Sequence, residues 1–184
     1  MQSKPVIFIF GLGYVGRRLG HVLAKKGWHI KGTTRDPAKL LAEADAGWEI
    51  FPFSNDRPLV DPATALADVD AILTTITAIG GSDPVLDAHG DILAHYNGWS
   101  GYVSATSVYP DQPDGFCFED TPTAPATERG KARVIAEQRW QDMLNSELFR
   151  VAGIYGPGRS PFDGLRNGTA RIITREGQVF NRIH

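Results

Sequence analysis

The hydrophobic positions of this chain fall into short unbroken runs separated by stretches at helical spacing, the pattern of buried strands alternating with amphipathic helices. The first run, Val6-Ile-Phe-Ile-Phe10, ends on a glycine, and Val15, Leu19, Val22 and Leu23 then recur at helical spacing. Lys25 and Lys26 suit the C-terminus of that helix, and Gly27 suits the cap after it. Residues 28–34 read as a second strand, after which Asp36 and Pro37 read as an N-cap and a first-turn proline opening a helix through Ala44. A third strand is predicted over 48–53, a helix or turn over 62–67, a fourth strand over 69–76 and a helix interrupted by Gly90 over 84–96. Residues 98–107 hold a fifth strand and 148–153 a sixth. Between these last two, residues 127–144 predict a helix with Val134, Ile135, Gln138 and Met143 along its length, its apolar face assigned to core or to a subunit interface. Alternation of strand and helix predicts an α/β, Rossmann-like fold: a doubly wound parallel sheet with helices on both faces. The proline-rich stretch 109–125, containing Glu119 and Asp120, is long enough to suspect an active-site role.

Composition narrows the function classes. At 184 residues the chain suits one αβ domain, and its 42% hydrophobic and 22% charged residues are ordinary for a soluble protein. A formal net charge of −2 offers no field for nucleic acid or an anionic membrane. The single cysteine, Cys117, excludes an internal disulfide, and no Cys/His group has metal-ligand spacing, so no metal is expected. His89 and His95 lack helical ligand spacing and are read, with the other histidines, as surface residues. No apolar run reaches the length of a membrane span, and a cytoplasmic location is expected.

The junction of the first strand and first helix carries the most specific chemistry. It reads Gly11-Leu12-Gly13-Tyr14-Val15-Gly16, a dinucleotide-binding turn. Gly11 allows a sharp bend off the strand, Gly13 leaves the main chain open to a pyrophosphate, and Gly16 lets the helix pack close to the strand. The phosphates then meet free N–H groups at the positive end of a helix. At the end of the second strand an acid would accept the ribose hydroxyls of NAD(H), whereas an arginine matches the 2′-phosphate of NADP(H). Arg35 stands there, and Asp36 beside it reads as a cap, which favours NADP(H) over NAD(H), with Thr33, Thr34 and Arg17 as helpers. A solvated surface arginine is the competing reading of Arg35. Thr75 and Ser104 fall near the carboxyl edge of the fourth and fifth strands, where such sheets bind ligands.

Four landmarks stand in a familiar order: the glycine turn, Val103-Ser-Ala-Thr-Ser-Val-Tyr109, Arg129-Gly-Lys-Ala-Arg-Val-Ile-Ala-Glu137 and Phe149-Arg-Val-Ala-Gly-Ile-Tyr-Gly-Pro-Gly158. With them the chain resembles the extended or atypical short-chain dehydrogenase/reductases, the NAD-dependent epimerase/dehydratase family. Phe10 occupies the place of the first glycine in the usual extended motif, which points to an atypical branch. The resemblance implies hydride transfer assisted by a Ser/Thr, a Tyr and a Lys four residues after the Tyr, the lysine lowering the phenol pKa. The corresponding positions hold Ala105, Arg129 and Arg133. Taking Lys131 as the lysine places Thr127 at the tyrosine, which restores nothing. The resemblance further implies that residues 1–184 form one NAD(P)-binding domain, with 154–184 the start of a substrate-binding segment that is cut off; a minimal domain is the alternative.

Two functions follow from these residues. One is an NADP(H)-linked oxidoreductase or epimerase, acting on an unidentified small molecule with a non-standard acid drawn from Tyr109, Tyr155 or Glu119. The other is a catalytically silent NADP(H)-binding sensor or regulatory protein. The helix over 127–144 is a candidate homodimer surface by the same resemblance.

Overall fold

A computed structural model describes residues 4–111, 115–171 and 180–184. Six parallel strands form the central sheet: β1 (Val6–Phe10), β2 (His29–Thr34), β3 (Glu49–Pro52), β4 (Ala71–Thr74), β5 (Trp99–Ala105) and β6 (Glu147–Val151), in the spatial order β3-β2-β1-β4-β5-β6. The order reverses between β1 and β4, the switch point at which open parallel sheets of this kind leave a crevice at their carboxyl edge. The connecting helices are α1 (Tyr14–Lys25), α2 (Leu41–Asp45), α3 (Pro62–Ala65), α4 (Pro84–Leu93) and α5 (Glu128–Leu144). Beyond β6, a two-stranded parallel sheet joins β7 (Gly153–Ile154) to β8 (Arg182–Ile183), and α6 (Pro161–Arg166) follows β7 in the chain.

The strand period of two divides the core. Phe8 and Phe10 on β1 join Ile72, Tyr102, Val85, Leu86, Leu93, Ala136 and Trp140 on one face, so α4 and α5 cover that side. Ile7 and Ile9, the alternate residues of the same strand, pack with Ile30, Leu73 and, from α1, Leu19 and Leu23 on the other. A buried polar contact locks the first layer. Asp83 caps α4 by accepting from the Val85 and Leu86 amides at 3.0 Å, and its other carboxylate oxygen accepts from Trp140 Nε1 at 2.9 Å.

Three expectations need correction. Gly90 does not interrupt α4, which runs continuously; a Cβ there would stand 3.3 Å from the Met143 methyl, so the glycine accommodates the approach of α5. The buried stripe of α5 is Gly130, Ala132, Arg133, Ala136, Glu137 and Trp140, whereas Gln138 and Ile135 face outward. The two buried charged residues in that stripe hid it from a hydrophobic pattern. His89 is buried, not at the surface: it lies against Phe10 and Phe53 and its Nε2 accepts from the Leu59 amide at 3.1 Å.

Candidate functional site

The glycine turn has the geometry its spacing demands. Gly11 adopts φ +95°, a region that L side chains rarely enter, and any Cβ there would stand 2.6 Å from Thr75 Oγ1. Its amide donates to Thr33 Oγ1 at 2.9 Å and its carbonyl accepts from Thr75 Oγ1 at 2.7 Å, so β2 and β4 both brace the bend. The next amide, of buried Leu12, donates to the Thr33 carbonyl at 2.7 Å. A Cβ on Gly13 would meet nothing within 4 Å among the described residues, whereas one on Gly16 would collide with the Gly11 carbonyl. The middle glycine therefore faces open space and the last one lets α1 approach the strand. Gly13 is the N-cap of α1 and makes no side-chain cap bond, and the helix has no acid in its first turn. The amides at this end remain available to an anion.

Beside this turn lies a cavity of about 600 Å³ lined by Leu12, Gly13, Tyr14, Arg17, Thr34, Arg35, Asp36, Lys39 and Leu40. It lies at the β2 end, where Arg35 is exposed and has no ion-pair partner among the described residues. Arg17 is held from below by buried Glu43, its Nη2 2.5 Å and its Nε 2.6 Å from Oε1. Burial pushes the Glu43 carboxyl up, but its bonds to Arg17 and to the backbone, with the charges of Arg17 and His21, outweigh this and hold it below the usual carboxylate range. Asp36 makes no cap bond, contrary to the sequence reading. Its carboxylate pairs with Lys39 at 3.3 Å, because residues 37–40 form a 3-10 turn that brings the lysine back over it. Lys39 is thus a cation of the cavity that sequence reasoning overlooked.

The remaining residues of interest are dispersed. Ala105 ends β5. Arg129 is exposed in the first turn of α5, while Arg133 is buried, its guanidinium donating to Thr77 Oγ1 at 3.2 Å and to the Val103 carbonyl at 3.4 Å. Ser104 is buried, and its hydroxyl has no partner among the described residues. The Tyr109 hydroxyl accepts from Arg150 Nη1 at 3.1 Å, and the same guanidinium lies 5.0 Å from the Tyr109 ring. Tyr155 stands elsewhere, packed edge-on to His184 and lining a second cavity of about 460 Å³ with Arg159, Asp163, Asn167 and Arg182. The half-buried Val15 and Thr34 flank the glycine turn and the end of β2.

The chain and its overall fold have counterparts among known proteins. A conserved protein from Silicibacter pomeroyi DSS, described as functionally unknown, superimposes with a TM-score of 0.86 at 41% identity over 98% of this chain and 64% of its own. Protein YeeZ of Escherichia coli K12 is 32% identical over 169 residues, 84% of this chain and 61% of that protein. A structure of UDP-glucuronic acid 4-epimerase from Bacillus cereus, holding UDP-glucuronic acid and NAD, superimposes with a TM-score of 0.64 at 18% identity over 85% of this chain and 59% of its own. The chain has the Rossmann-like fold of that epimerase. It spans about three-fifths of the length of the relatives it matches. No family profile matches it.

Proposed function

We propose that this chain binds a nicotinamide dinucleotide across the carboxyl edge of its sheet, NADP(H) in preference to NAD(H), as an atypical member of the epimerase/dehydratase family. The observation that carries the reading is the glycine turn, with Gly11 at φ +95°, open space over Gly13 and no room at Gly16. A pyrophosphate lies over Gly11 to Gly16, and the adenosine ribose enters the cavity of Arg17, Arg35 and Lys39. Lys39 pairs with the Asp36 carboxylate, which would otherwise accept ribose hydroxyls, and Arg35 is left to meet a 2′-phosphate. Isothermal titration of NADPH and NADH into wild type and Gly13→Val tests the reading. Binding is expected to be lost in the variant, and unchanged affinity overturns the assignment.

For chemistry we favour a silent binder or sensor over an oxidoreductase. Arg133, at the position matching the family's lysine, is committed to Thr77 and Val103, and Arg129, matching the tyrosine, is a permanently charged group that cannot exchange a proton near neutral pH. The oxidoreductase or epimerase reading requires Tyr109 or Tyr155 to act instead, and Arg150 already engages the Tyr109 hydroxyl. A panel of carbonyl and alcohol substrates, followed by NADPH absorbance, separates the two readings: turnover supports the enzyme, binding without turnover the sensor.

A further inference from the structure

Tyr14, the residue between the second and third glycines, is enclosed by groups from opposite ends of the chain. Arg18, one turn along α1, lies with its guanidinium 4.7 Å from the Tyr14 ring centroid, and Arg159, from the turn after β7, lies 5.4 Å from it. The Tyr14 hydroxyl donates to the Pro157 carbonyl at 3.3 Å, and Arg18 Nη2 donates to the same carbonyl at 2.6 Å. The turn is tight, with Gly156 and Arg159 exchanging backbone hydrogen bonds at 3.0 and 2.9 Å. The Tyr14 hydroxyl occupies the place that a Cβ on Gly156 would take, so a side chain there would push the tyrosine aside. Two guanidinium groups therefore converge beside the positive end of α1. Neither forms an ion pair among the described residues, and α1 has no acid in its first turn. Positive charge gathered in this way, with no ion-pair partner among the described residues, is a place for an anion.

We propose that Arg159 is a ligand to the cofactor pyrophosphate, supplied from the segment beyond β6, and that Tyr14 is the positioning residue that holds it over the glycine turn. The assignment rests on the dinucleotide reading above. It gives the Tyr155-Gly-Pro-Gly-Arg stretch a part in cofactor binding that neither motif alone reveals. Because the pyrophosphate is common to both dinucleotides, Arg159 acts on NADH and NADPH alike, whereas Arg35 discriminates between them.

Titration of NADPH and NADH into wild type, Arg159→Gln, Tyr14→Phe and Tyr14→Ala tests this, with melting temperatures confirming that each variant folds. Arg159→Gln is expected to weaken both cofactors about 10-fold or more, the loss of one charge-assisted contact. Tyr14→Phe keeps the ring and is expected to stay within about threefold of wild type, while Tyr14→Ala falls with Arg159→Gln. The double variant Tyr14→Ala/Arg159→Gln is expected to be no worse than the poorer single one, since both act on one contact. Wild-type affinity for both cofactors in Arg159→Gln, with wild type binding and Gly13→Val not binding, overturns this proposal and leaves the dinucleotide reading standing. A loss confined to NADPH overturns it too. Failure of wild type to bind either cofactor overturns both.

Discussion

Arg150 on β6 grips Glu137 on α5 side-on, Nη2 2.9 Å from Oε2 and Nε 3.2 and 3.3 Å from the two carboxylate oxygens. The Glu137 side chain is 4% exposed and that of Arg150 19%, so the pair is largely withdrawn from water. The carboxylate bonds hold the Arg150 guanidinium more firmly charged than usual, against the opposing effect of burial, and its Nη1 reaches the Tyr109 hydroxyl. A single ion pair thereby joins the last strand of the main sheet, the α5 helix and the start of the proline-rich stretch.

Removing one partner of this pair should cost more than removing both. Glu137→Ala leaves a part-buried guanidinium without its carboxylate, and a loss of about 3 kcal/mol is expected, toward the low end for buried pairs because Arg150 keeps some water. Replacement of both by apolar residues, Glu137→Leu with Arg150→Met, is expected to recover most of that loss. Urea unfolding midpoints measure both, and a single variant within about 0.5 kcal/mol of wild type, the ordinary range of a surface change, sinks the argument.

Gly13 and Gly16 should differ in their response to an added methyl group. Gly16→Ala forces a Cβ into the Gly11 carbonyl and is expected to destabilise by about 1–3 kcal/mol, the usual range for overpacking. Gly13→Ala meets nothing within 4 Å among the described residues and is expected to leave the melting temperature near that of wild type. Equal thermal stability of the two variants counts against the close packing of α1 on β1.

Cofactor preference should lie in Arg35. Charge-assisted hydrogen bonds are worth about 1.5–3 kcal/mol, so Arg35→Ala is expected to weaken NADP(H) about 10- to 100-fold and NAD(H) little. Titration calorimetry with the four cofactor forms reads this directly. Equal losses for both dinucleotides, or none for either, refute the 2′-phosphate assignment.

His89 should make the fold less stable in mild acid. Burial lowers its pKa below the ordinary 6.5, so the unfolded chain binds a proton that the folded chain refuses. The sign follows: the neutral imidazole's contribution is complete above about 6.5, and stability falls as pH drops from there toward the folded pKa, by at most about 1.4 kcal/mol per pH unit. Urea midpoints between pH 7.5 and 5 should show the slope. The His89 ring signals in NMR should not titrate near 6.5 in the folded protein, and an ordinary titration there contradicts the burial.

Catalysis by the usual route of the epimerase/dehydratase family, which the chain resembles, should be absent. General acid–base groups typically contribute about 10²- to 10⁴-fold, and Ala105, Arg129 and Arg133 offer none in place of the hydroxyl, phenol and ammonium. Wild-type protein is expected to bind NADPH without oxidising sugar nucleotides or simple alcohols. Should turnover occur, Tyr109→Phe or Tyr155→Phe is expected to abolish it. Robust NADP-linked turnover unaffected by either change overturns both the silent-binder reading and the choice of acids.

The order of strands and helices, the parallel sheet and the glycine turn were legible in the sequence because their causes are local. Alternation along β1 sends Phe8 and Phe10 one way and Ile7 and Ile9 the other, and the glycine spacing dictates a bend, an opening and a close approach within six residues. What the sequence could not disclose is where polar side chains find partners. His89 meets the Leu59 amide 30 positions away, Arg133 meets Thr77 across 56 and Tyr14 meets Pro157 across 143. Asp36 failed as a cap because a 3-10 turn redirected the chain and placed Lys39 above its carboxylate. A buried charge on α5 reads as a solvent-facing residue until the strand carrying its partner is placed beside it, as β6 places Arg150 beside Glu137. Periodicity and backbone sterics act over a turn of helix or a few residues of strand and are written in neighbouring positions. Pairing of distant polar groups depends on which elements the completed sheet brings together, and only the tertiary structure decides that.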